Sequence, residues 1–247
     1  MSLRSHLSIR RRIEGAIRPI ENVIDWAFPT DDLTQLANKH RSDKGNRFSS
    51  RHYYSRIYNQ FLYTLRQRPI TLLEIGLQWR RGSEDRDIPS LRMWRDYFPY
   101  AQLIGFDIED FSNISLPNCR ILQGNMSSRE DLSQLVAFGP FDVVIDDGSH
   151  ASAHQQIALA CLFPHVAPGG VYFIEDLNWQ PPALESAGVP QTRIMLRRKV
   201  FESPVINATE AHFLTDNVES AQLFDTRGRG PYNRDRRDAL RVLKKRR

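Results

Sequence analysis

Acidic and amide residues, together with one histidine, follow short apolar runs at five places in this sequence. They are Glu74, Asp107, Gln123, Asn125, Asp146, Asp147, His150, Glu175 and Asp176. If the apolar runs are parallel strands, their carboxyl ends meet at one edge of a sheet, where such sheets bind ligands. Carboxylates gathered there could hold a hard divalent cation, and a histidine could move a proton. The sequence therefore predicts one chemically active rim.

The apolar runs that precede these residues have the length and composition of buried strands. Five strands are predicted, over residues 70–76, 103–108, 119–123, 141–146 and 171–176. Helical stretches separate them, and alternation of strands with helices indicates βαβ units. We predict an α/β fold with a doubly wound, mostly parallel, Rossmann-like sheet. Segments 210–214 and 221–225 are expected to close it as an antiparallel hairpin.

The chain divides into three predicted parts. Residues 1–68 are expected to form a helical N-terminal extension, and residues 69–225 the main domain. Residues 226–247 contain ten Lys or Arg against two Asp, whereas the whole chain has a net charge of +5. The first 225 residues are therefore net negative. A polar, charge-rich tail is expected to be flexible, and an acidic body argues against a protein built throughout for nucleic acid.

Composition excludes several classes of protein. With 247 residues, of which 40% are hydrophobic, the chain can bury a full core. Two cysteines cannot form a disulfide scaffold or a multi-cysteine zinc site. No apolar run approaches the roughly 20 residues of a membrane span. Arg10 to Arg12 are followed by more charged residues and not by an apolar stretch, so no secretory signal is expected and the cytoplasm is the expected compartment.

The residues after the first predicted strand bear on the cofactor. Gly76 opens a turn that lacks the G-x-G-x-x-G pattern of dinucleotide sites, and no P-loop occurs in the chain. Glu74 would repel a phosphate, so an acidic rim favours a cationic cofactor such as a sulfonium. Asp107, which closes the second strand, could accept hydrogen bonds from ribose hydroxyls. The alternative is that Glu74 and Asp107 simply end their strands in solvent.

Several motifs carry a family resemblance. They are Leu-Glu-Ile-Gly at 73–76, Ser-Leu-Arg-Met-Trp at 90–94, Gly-Phe-Asp at 105–107, Asp-Asp-Gly-Ser-His at 146–150 and Ile-Glu-Asp at 174–176. They resemble class I S-adenosylmethionine methyltransferases, and more narrowly the metal-dependent sugar O-methyltransferases of macrolide biosynthesis, with cephalosporin-hydroxylase-type relatives. Ser-Asp-Lys-Gly at 42–45, with His52, Tyr54 and Tyr58, is similar to the lead-in of that family. The likeness covers roughly residues 40 to 180.

The resemblance implies a set of roles. S-adenosylmethionine would be bound by Glu74, Gly76, Asp107, Gln123, Asn125 and Asp146. A divalent metal, Mg²⁺ in the first place, would be held by Asp147, Glu175 and Asp176, and His150 would be the general base. The acceptor would be a sugar hydroxyl of a small molecule, under a lid formed by residues 177–200. The chain departs from the family at 81–89, and Asn125 stands where an Asp is common.

Other interpretations remain open at this point. Asp147 could open a turn with Gly148, and His150 could cap the next helix. His154, four residues after His150, is expected to have a structural or supporting role. A methyltransferase-like protein with a different reaction, of the cephalosporin-hydroxylase type, is one alternative function. A nucleic-acid-binding protein that uses the basic tail is the other, and a homo-oligomer is compatible with either.

Overall fold

The computed structural model describes residues 33–48, 52–77, 87–198, 200–227 and 237–247. Its centre is a seven-stranded sheet in the order β3-β2-β1-β4-β5-β7-β6. The strands are β1 (Thr71–Ile75), β2 (Gln102–Asp107), β3 (Cys119–Gln123), β4 (Phe141–Asp146), β5 (Val166–Ile174), β6 (Val218–Arg227) and β7 (Arg237–Lys245). Strands β1 to β5 pair in parallel, and β7 is antiparallel to both β5 and β6. The predicted doubly wound, mostly parallel fold is confirmed.

Helices lie along both faces of this sheet. They are α1 (Leu33–Lys39), α2 (Tyr54–Leu62), α3 (Pro89–Tyr97), α4 (Arg129–Ser133), α5 (Ser152–Leu162), α6 (Thr192–Arg198) and α7 (Ala208–Asn217). Local signals set several of the helix starts. Pro89 occupies the first turn of α3, the Ser128 hydroxyl caps α4, and Asn207 with Glu210 forms a capping box at α7.

Two hydrophobic clusters, one on each face, cover the sheet. One contains Leu159 of α5 and Leu214 of α7, together with Tyr172 of β5. The other contains Trp94 of α3 and Tyr58 of α2. Helices on both faces bury almost all of the central strands β1, β2 and β4, which explains their nearly continuous apolar sequence, whereas the edge strand β3 is partly exposed.

The described part of the predicted N-terminal extension shares the second of these clusters. Leu36 and Leu62 are at most 3% exposed and belong to the same cluster as Val143 and Phe173 of the sheet. Helix α2 packs on the sheet through Tyr58, which contacts Phe173, and helix α1 packs against α2 and α3. Residues 1–32 lie outside the described residues, so the extension as a whole stays a prediction.

The C-terminal prediction was wrong in two respects. Residues 210–214 lie within α7 and form no strand, and the antiparallel pair consists of β6 and β7. The expected flexible tail supplies β7, an internal strand between β5 and β6. The physical reason is a period-two pattern hidden among cations: Leu240 and Val242 face one hydrophobic cluster, while Leu243 faces the other.

Two cationic side chains of β7 are buried and donate hydrogen bonds to backbone carbonyl oxygens. Arg241 is 5% exposed and donates to the carbonyl oxygen of Leu196 at 2.7 Å. Lys245 is 9% exposed and donates to the carbonyl oxygens of Pro164 and Val166, both at 2.7 Å. Charge-assisted hydrogen bonds of this kind offset part of the cost of burying the two cations, while Nε of Arg241 has no partner among the described residues.

Among the described residues, no helix combines the length and the apolar character that a membrane crossing requires.

The internal position of β7 predicts a large cost for truncating its core side chain. Leu243 is fully buried, so Leu243→Ala should lower the free energy of unfolding by about 2–5 kcal/mol, as for other buried leucines. Leu184→Ala is the matched control because Leu184 is 37% exposed, and it should change stability little. Urea denaturation of both variants measures the difference. Equal stability of the two variants would contradict the internal position of β7 and favour a flexible C-terminal segment.

Candidate active site

The ends of the parallel strands lie side by side and carry the candidate residues. Three backbone N–H groups continue the sheet hydrogen bonding one residue past the strands: Gly76 to Phe106 (2.8 Å), Asp147 to Ile75 (2.9 Å) and Glu175 to Asp146 (2.9 Å). The winding of the sheet reverses between β1 and β4, and open α/β sheets bind ligands outside the carboxyl ends at such a point. The predicted rim therefore exists, and its backbone is rigidly held.

Gly76 allows the turns after β1 and β4 to meet. Its φ is +87°, and a Cβ at this position would lie 2.0 Å from the carbonyl oxygen of Asp147. No side chain larger than hydrogen fits, and the left-handed conformation favours glycine independently. Glycine is required at position 76 because the backbone of the turn after β4 lies too close for any side chain.

Asp147, His150 and Asp176 form a compact group of potential metal ligands. One donor atom from each lies within 4.8 Å of the others. The His150 Nε2 atom is 3.6 Å from Oδ2 of Asp176. Both His150 and Asp176 have positive φ angles, of 60° and 54°. Non-glycine residues rarely adopt this backbone, and where they do the surrounding structure holds them in place.

Asp176 is surrounded by groups that favour its ionised form. The Tyr54 hydroxyl donates to Oδ1 at 2.7 Å, and Nδ1 of His52 lies 3.4 Å from the same oxygen. Burial raises the pKa of Asp176, but His52, His150 and the Tyr54 hydrogen bond outweigh it and hold that pKa below its usual range. Asp176 is therefore a carboxylate at neutral pH.

A buried lysine joins the strand ends. Lys44 is 1% exposed, and its ammonium lies 2.5 Å from Asp147 Oδ2, 2.8 Å from Glu175 Oε1 and 3.5 Å from Glu74 Oε1. Burial lowers the pKa of Lys44, but Asp147, Glu175 and Glu74 more than offset it, and the pKa is raised well above its usual value. The lysine is thus a permanent internal cation.

Glu175 lies on the lysine side of the rim. It is 1% exposed, and its Oε1 atom also accepts a hydrogen bond from the Tyr58 hydroxyl. Burial and the charge of Asp147 raise the pKa of Glu175 well above its usual range, against the effect of Lys44. Of the three metal ligands that the family resemblance implies, Asp147 and Asp176 fall within the compact group with His150, while Glu175 adjoins it through Lys44.

Glu74 is a second fully buried carboxyl group. Its Oε2 atom accepts a hydrogen bond from the Ser90 hydroxyl at 2.8 Å. Burial raises the pKa of Glu74 to about 7, although Lys44 and Ser90 lower it. Glu74 is 0% exposed, so the interpretation that it ends a strand in solvent is wrong.

The remaining predicted cofactor residues organise the turns after their strands. Asp107 is 9% exposed, and its carboxylate accepts the backbone N–H groups of Leu77 (2.6 Å) and Glu109 (2.9 Å). Asn125 accepts from the backbone N–H and the hydroxyl of Ser127, whereas Gln123 donates to the carbonyl oxygen of Ile108.

Asp146 lies behind the rim. It is fully buried, and burial raises its pKa to about 7. The backbone N–H of Gly148 lies 3.4 Å from its Oδ1 atom. Asp146 thus packs beneath the turn that carries Asp147.

His150 and His154 lie at and just after the turn that precedes α5, and their roles differ. Helix α5 has Ala151 as its N-cap residue, and the N–H of Ser152 donates to the carboxylate of Glu185 at 2.7 Å, so His150 is not the helix cap. His154 pairs with the Ser149 hydroxyl through Nδ1 at 2.8 Å. This contact supports the turn that carries His150.

The sequence analysis missed the roles of the residues before the sheet. Lys44, His52, Tyr54 and Tyr58 all contact strand-end carboxylates. The available signal was the similarity of the Ser-Asp-Lys-Gly segment and the following aromatic residues to a known lead-in. Neither periodicity nor charge indicates that these side chains reach residues more than 100 positions away.

The sequence is similar to those of several curated O-methyltransferases. The mycinamicin VI 2''-O-methyltransferase of Micromonospora griseorubida is 38% identical over 153 residues, which are 59% of this chain and 36% of that protein. A Streptomyces olivaceus 3'-O-methyltransferase acting on a methoxyrhamnosyl-tetracenomycin is 39% identical over 169 residues, 68% of this chain and 42% of that protein. This chain is a homologue of sugar O-methyltransferases.

Solved structures extend the comparison to the fold. The MycE methyltransferase of the mycinamycin pathway, in complex with Mg and SAH, matches with a TM-score of 0.67 at 28% identity. The match covers 87% of this chain and 55% of MycE. This chain therefore has the Rossmann-like methyltransferase fold. It spans about half or less of the length of the relatives it matches. No family model matches the chain.

The contact at Gly76 predicts a specific steric effect. Gly76→Ala should destabilise the protein more than Gly188→Ala, because both glycines have positive φ but a Cβ at Gly188 meets nothing within 4 Å. The control carries only the backbone strain, about 1–2 kcal/mol. Gly76→Ala adds a collision with the Asp147 carbonyl group. Thermal denaturation of both variants measures this, and equal losses would show that the two turns separate without cost.

Proposed function

We propose that this sugar O-methyltransferase homologue transfers the methyl group of S-adenosylmethionine to a hydroxyl of a sugar on a glycosylated natural product. His150 takes the proton of that hydroxyl, and Asp147, Glu175 and Asp176 would hold a divalent metal that would lower the pKa of the hydroxyl. The names of the relatives refer to 2'', 3', 2' and 3 positions of different glycosides. The class of acceptor is therefore proposed from the relatives, and the position methylated is left open.

The observation that carries the proposal is the group formed by Asp147, His150 and Asp176. Two carboxylates and an imidazole within 4.8 Å of one another lie at the carboxyl end of the sheet, beside the point where its winding reverses. An aliphatic hydroxyl is far too weakly acidic to be deprotonated by histidine unaided at neutral pH. A cation and a base side by side supply what O-methylation needs.

The donor set fits a hard divalent ion. Asp147, Glu175 and Asp176 are the proposed ligands, and carboxylate oxygens are the ligands that Mg²⁺ prefers in proteins. Among the described residues, Nδ1 of His150 is a buried nitrogen without a hydrogen-bond partner, so the ring has capacity toward a further group. Bound there, Mg²⁺ would lower the pKa of the acceptor hydroxyl. The MycE structures that match contain Mg.

His150 is held where a base would be needed. Its side chain is 18% exposed, so it can reach an acceptor, and Trp179 packs edge-on against the ring with centroids 5.8 Å apart. Asp176, whose low pKa keeps it ionised, lies beside Nε2 and would stabilise the positive charge that the ring gains with the proton. A carboxylate in this position also fixes the orientation of the imidazole.

The cofactor residues are proposed from the same rim. Glu74, Gly76, Asp107, Gln123, Asn125 and Asp146 would bind S-adenosylmethionine. Asp107 supports this most directly, because two backbone N–H groups fix its carboxylate while lone pairs remain for ribose hydroxyls. The acidic rim attracts the sulfonium charge.

The acceptor side is proposed to include residues 177–200. Trp179 is 46% exposed and lies in the turn that follows Asp176, where its indole could cover the apolar face of a sugar ring. The proposed partner is thus a small molecule, and a homo-oligomer stays a prediction. Cytoplasmic localisation also stays a proposal, supported by the two free thiols Cys119 and Cys161.

A methylation assay with and without metal tests the proposal. The chain is incubated with S-adenosylmethionine and either mycinamicin VI or rhamnosyl-tetracenomycin C, and the product is identified by mass spectrometry. We expect transfer that stops with excess chelator and returns with Mg²⁺. Full turnover in chelator would refute the metal's role, and no transfer to any glycoside would refute the proposed acceptor class.

The role of His150 predicts a separation of binding from chemistry. His150→Ala should lower kcat by about 10²–10⁴, the range for general-base catalysis, while the calorimetric affinity for S-adenosylhomocysteine stays unchanged. His212→Ala is the control, because His212 is 81% exposed in its side chain and lies on α7. A parallel loss of cofactor affinity in His150→Ala would assign the residue a structural role.

A further inference from the structure

The position of Lys44 bears on how the proposed metal site works. Its ammonium contacts Asp147, Glu175 and Glu74, each of which lies at the end of a different strand. The backbone on both sides is anchored as well: Ser55 N–H donates to the Lys44 carbonyl oxygen at 2.9 Å, and Lys44 N–H donates to the Ser42 hydroxyl at 3.3 Å. The backbone and the ammonium group of Lys44 are therefore both held in place.

The ammonium and the proposed divalent ion share the same carboxylates. Lys44 occupies Oδ2 of Asp147 and Oε1 of Glu175, both of which belong to proposed metal ligands. Two cations bound to one set of carboxylates repel each other, and this repulsion is strong where water is excluded. The lysine also holds the carboxylates together when no metal is bound.

We propose that Lys44 is a positioning residue that acts as a built-in counter-cation: it preforms the carboxylate cluster and, by sharing Asp147 and Glu175, weakens the affinity of the site for a divalent ion. The proposal rests on the metal site of the proposed function. Its consequence is an exchangeable metal, bound at a cluster that is already assembled. A purely structural lysine would have the opposite signature, since its loss would scatter the ligands and weaken metal binding.

Calorimetry on the full chain at pH 8, with Mg²⁺ and Mn²⁺ as probes, tests the proposal. Lys44→Met keeps an unbranched side chain of nearly the same length, lacking only the terminal amino group, and removes the charge. We expect it to bind the metal about tenfold more tightly than the wild type, because one repulsive charge is gone. Its melting temperature without metal should fall, and added Mg²⁺ should raise it by more than in the wild type. Lys39→Met is the control, since Lys39 pairs with Asp96 at the surface.

A second variant gives a prediction of opposite sign. Glu74 contacts Lys44 and is not a proposed metal ligand. The pKa of Glu74 is about 7, so this side chain is mostly ionised at the experimental pH of 8. Glu74→Gln should direct the lysine's charge more fully onto Asp147 and Glu175, and so weaken metal binding several-fold. The exposed Glu202→Gln variant, on a distant segment, should leave the affinity unchanged.

The outcomes separate this inference from the proposed function. Weaker or unchanged metal binding in Lys44→Met would overturn it, as would the absence of metal binding in both wild type and variant. If Lys44→Met does not fold, an unchanged affinity in Glu74→Gln overturns it instead. Methyl transfer by the wild type is measured separately, so a lysine that fails this test leaves the methyltransferase proposal standing, and a failed transfer assay leaves the metal titration interpretable.

Discussion

The pairing of one buried ammonium with three carboxyl groups connects the site to the rest of the molecule. Glu74, Asp147 and Glu175 come from the ends of β1, β4 and β5, and burying them without a cation would cost several kcal/mol per charge. Lys44 supplies that cation from the segment between α1 and α2. The cluster can therefore be buried only when this upstream segment is packed on the sheet.

Packing of the upstream segment in turn shapes the exposed half of the site. Helix α2 places Tyr58 against Phe173, with ring centroids 4.6 Å apart, and directs its hydroxyl to Glu175. At the start of the same helix, Tyr54 donates to Asp176, which lies beside His150. Hydrophobic packing thus sets the positions of hydrogen-bond donors, and the donors keep Asp176 ionised and oriented. Fold and site are consequently difficult to change independently.

The proposed catalytic groups and the proposed acceptor side lie on different kinds of structural element. The carboxylates, Lys44 and His150 all lie on strand ends or on segments packed against the sheet. The proposed acceptor side, which includes the exposed Trp179, lies in the segment after β5. Loops of this kind tolerate sequence change far better than strand ends in a buried sheet. The curated relatives differ in the glycoside they methylate, as their names state, while sharing more than a third of aligned residues with this chain.

The sequence by itself determined the parallel strands, their order of appearance and the acidic residues at their ends, because strand length and apolar runs are local properties. It also predicted that Asp147, His150, Glu175 and Asp176 lie at one edge of the sheet, since parallel strands end there, and the structure placed Asp147, His150 and Asp176 in one compact group. Only the tertiary structure decided that Lys44 reaches Glu74, Asp147 and Glu175, a contact across 103 residues in the case of Asp147. Likewise, the cations of residues 237–245 suggested a flexible tail, whereas their alternating apolar neighbours insert between β5 and β6. The lysine contact depends on which distant carboxyl groups surround a buried cation, and the position of β7 depends on which strands its alternating apolar residues pair with. A local pattern identifies neither partner.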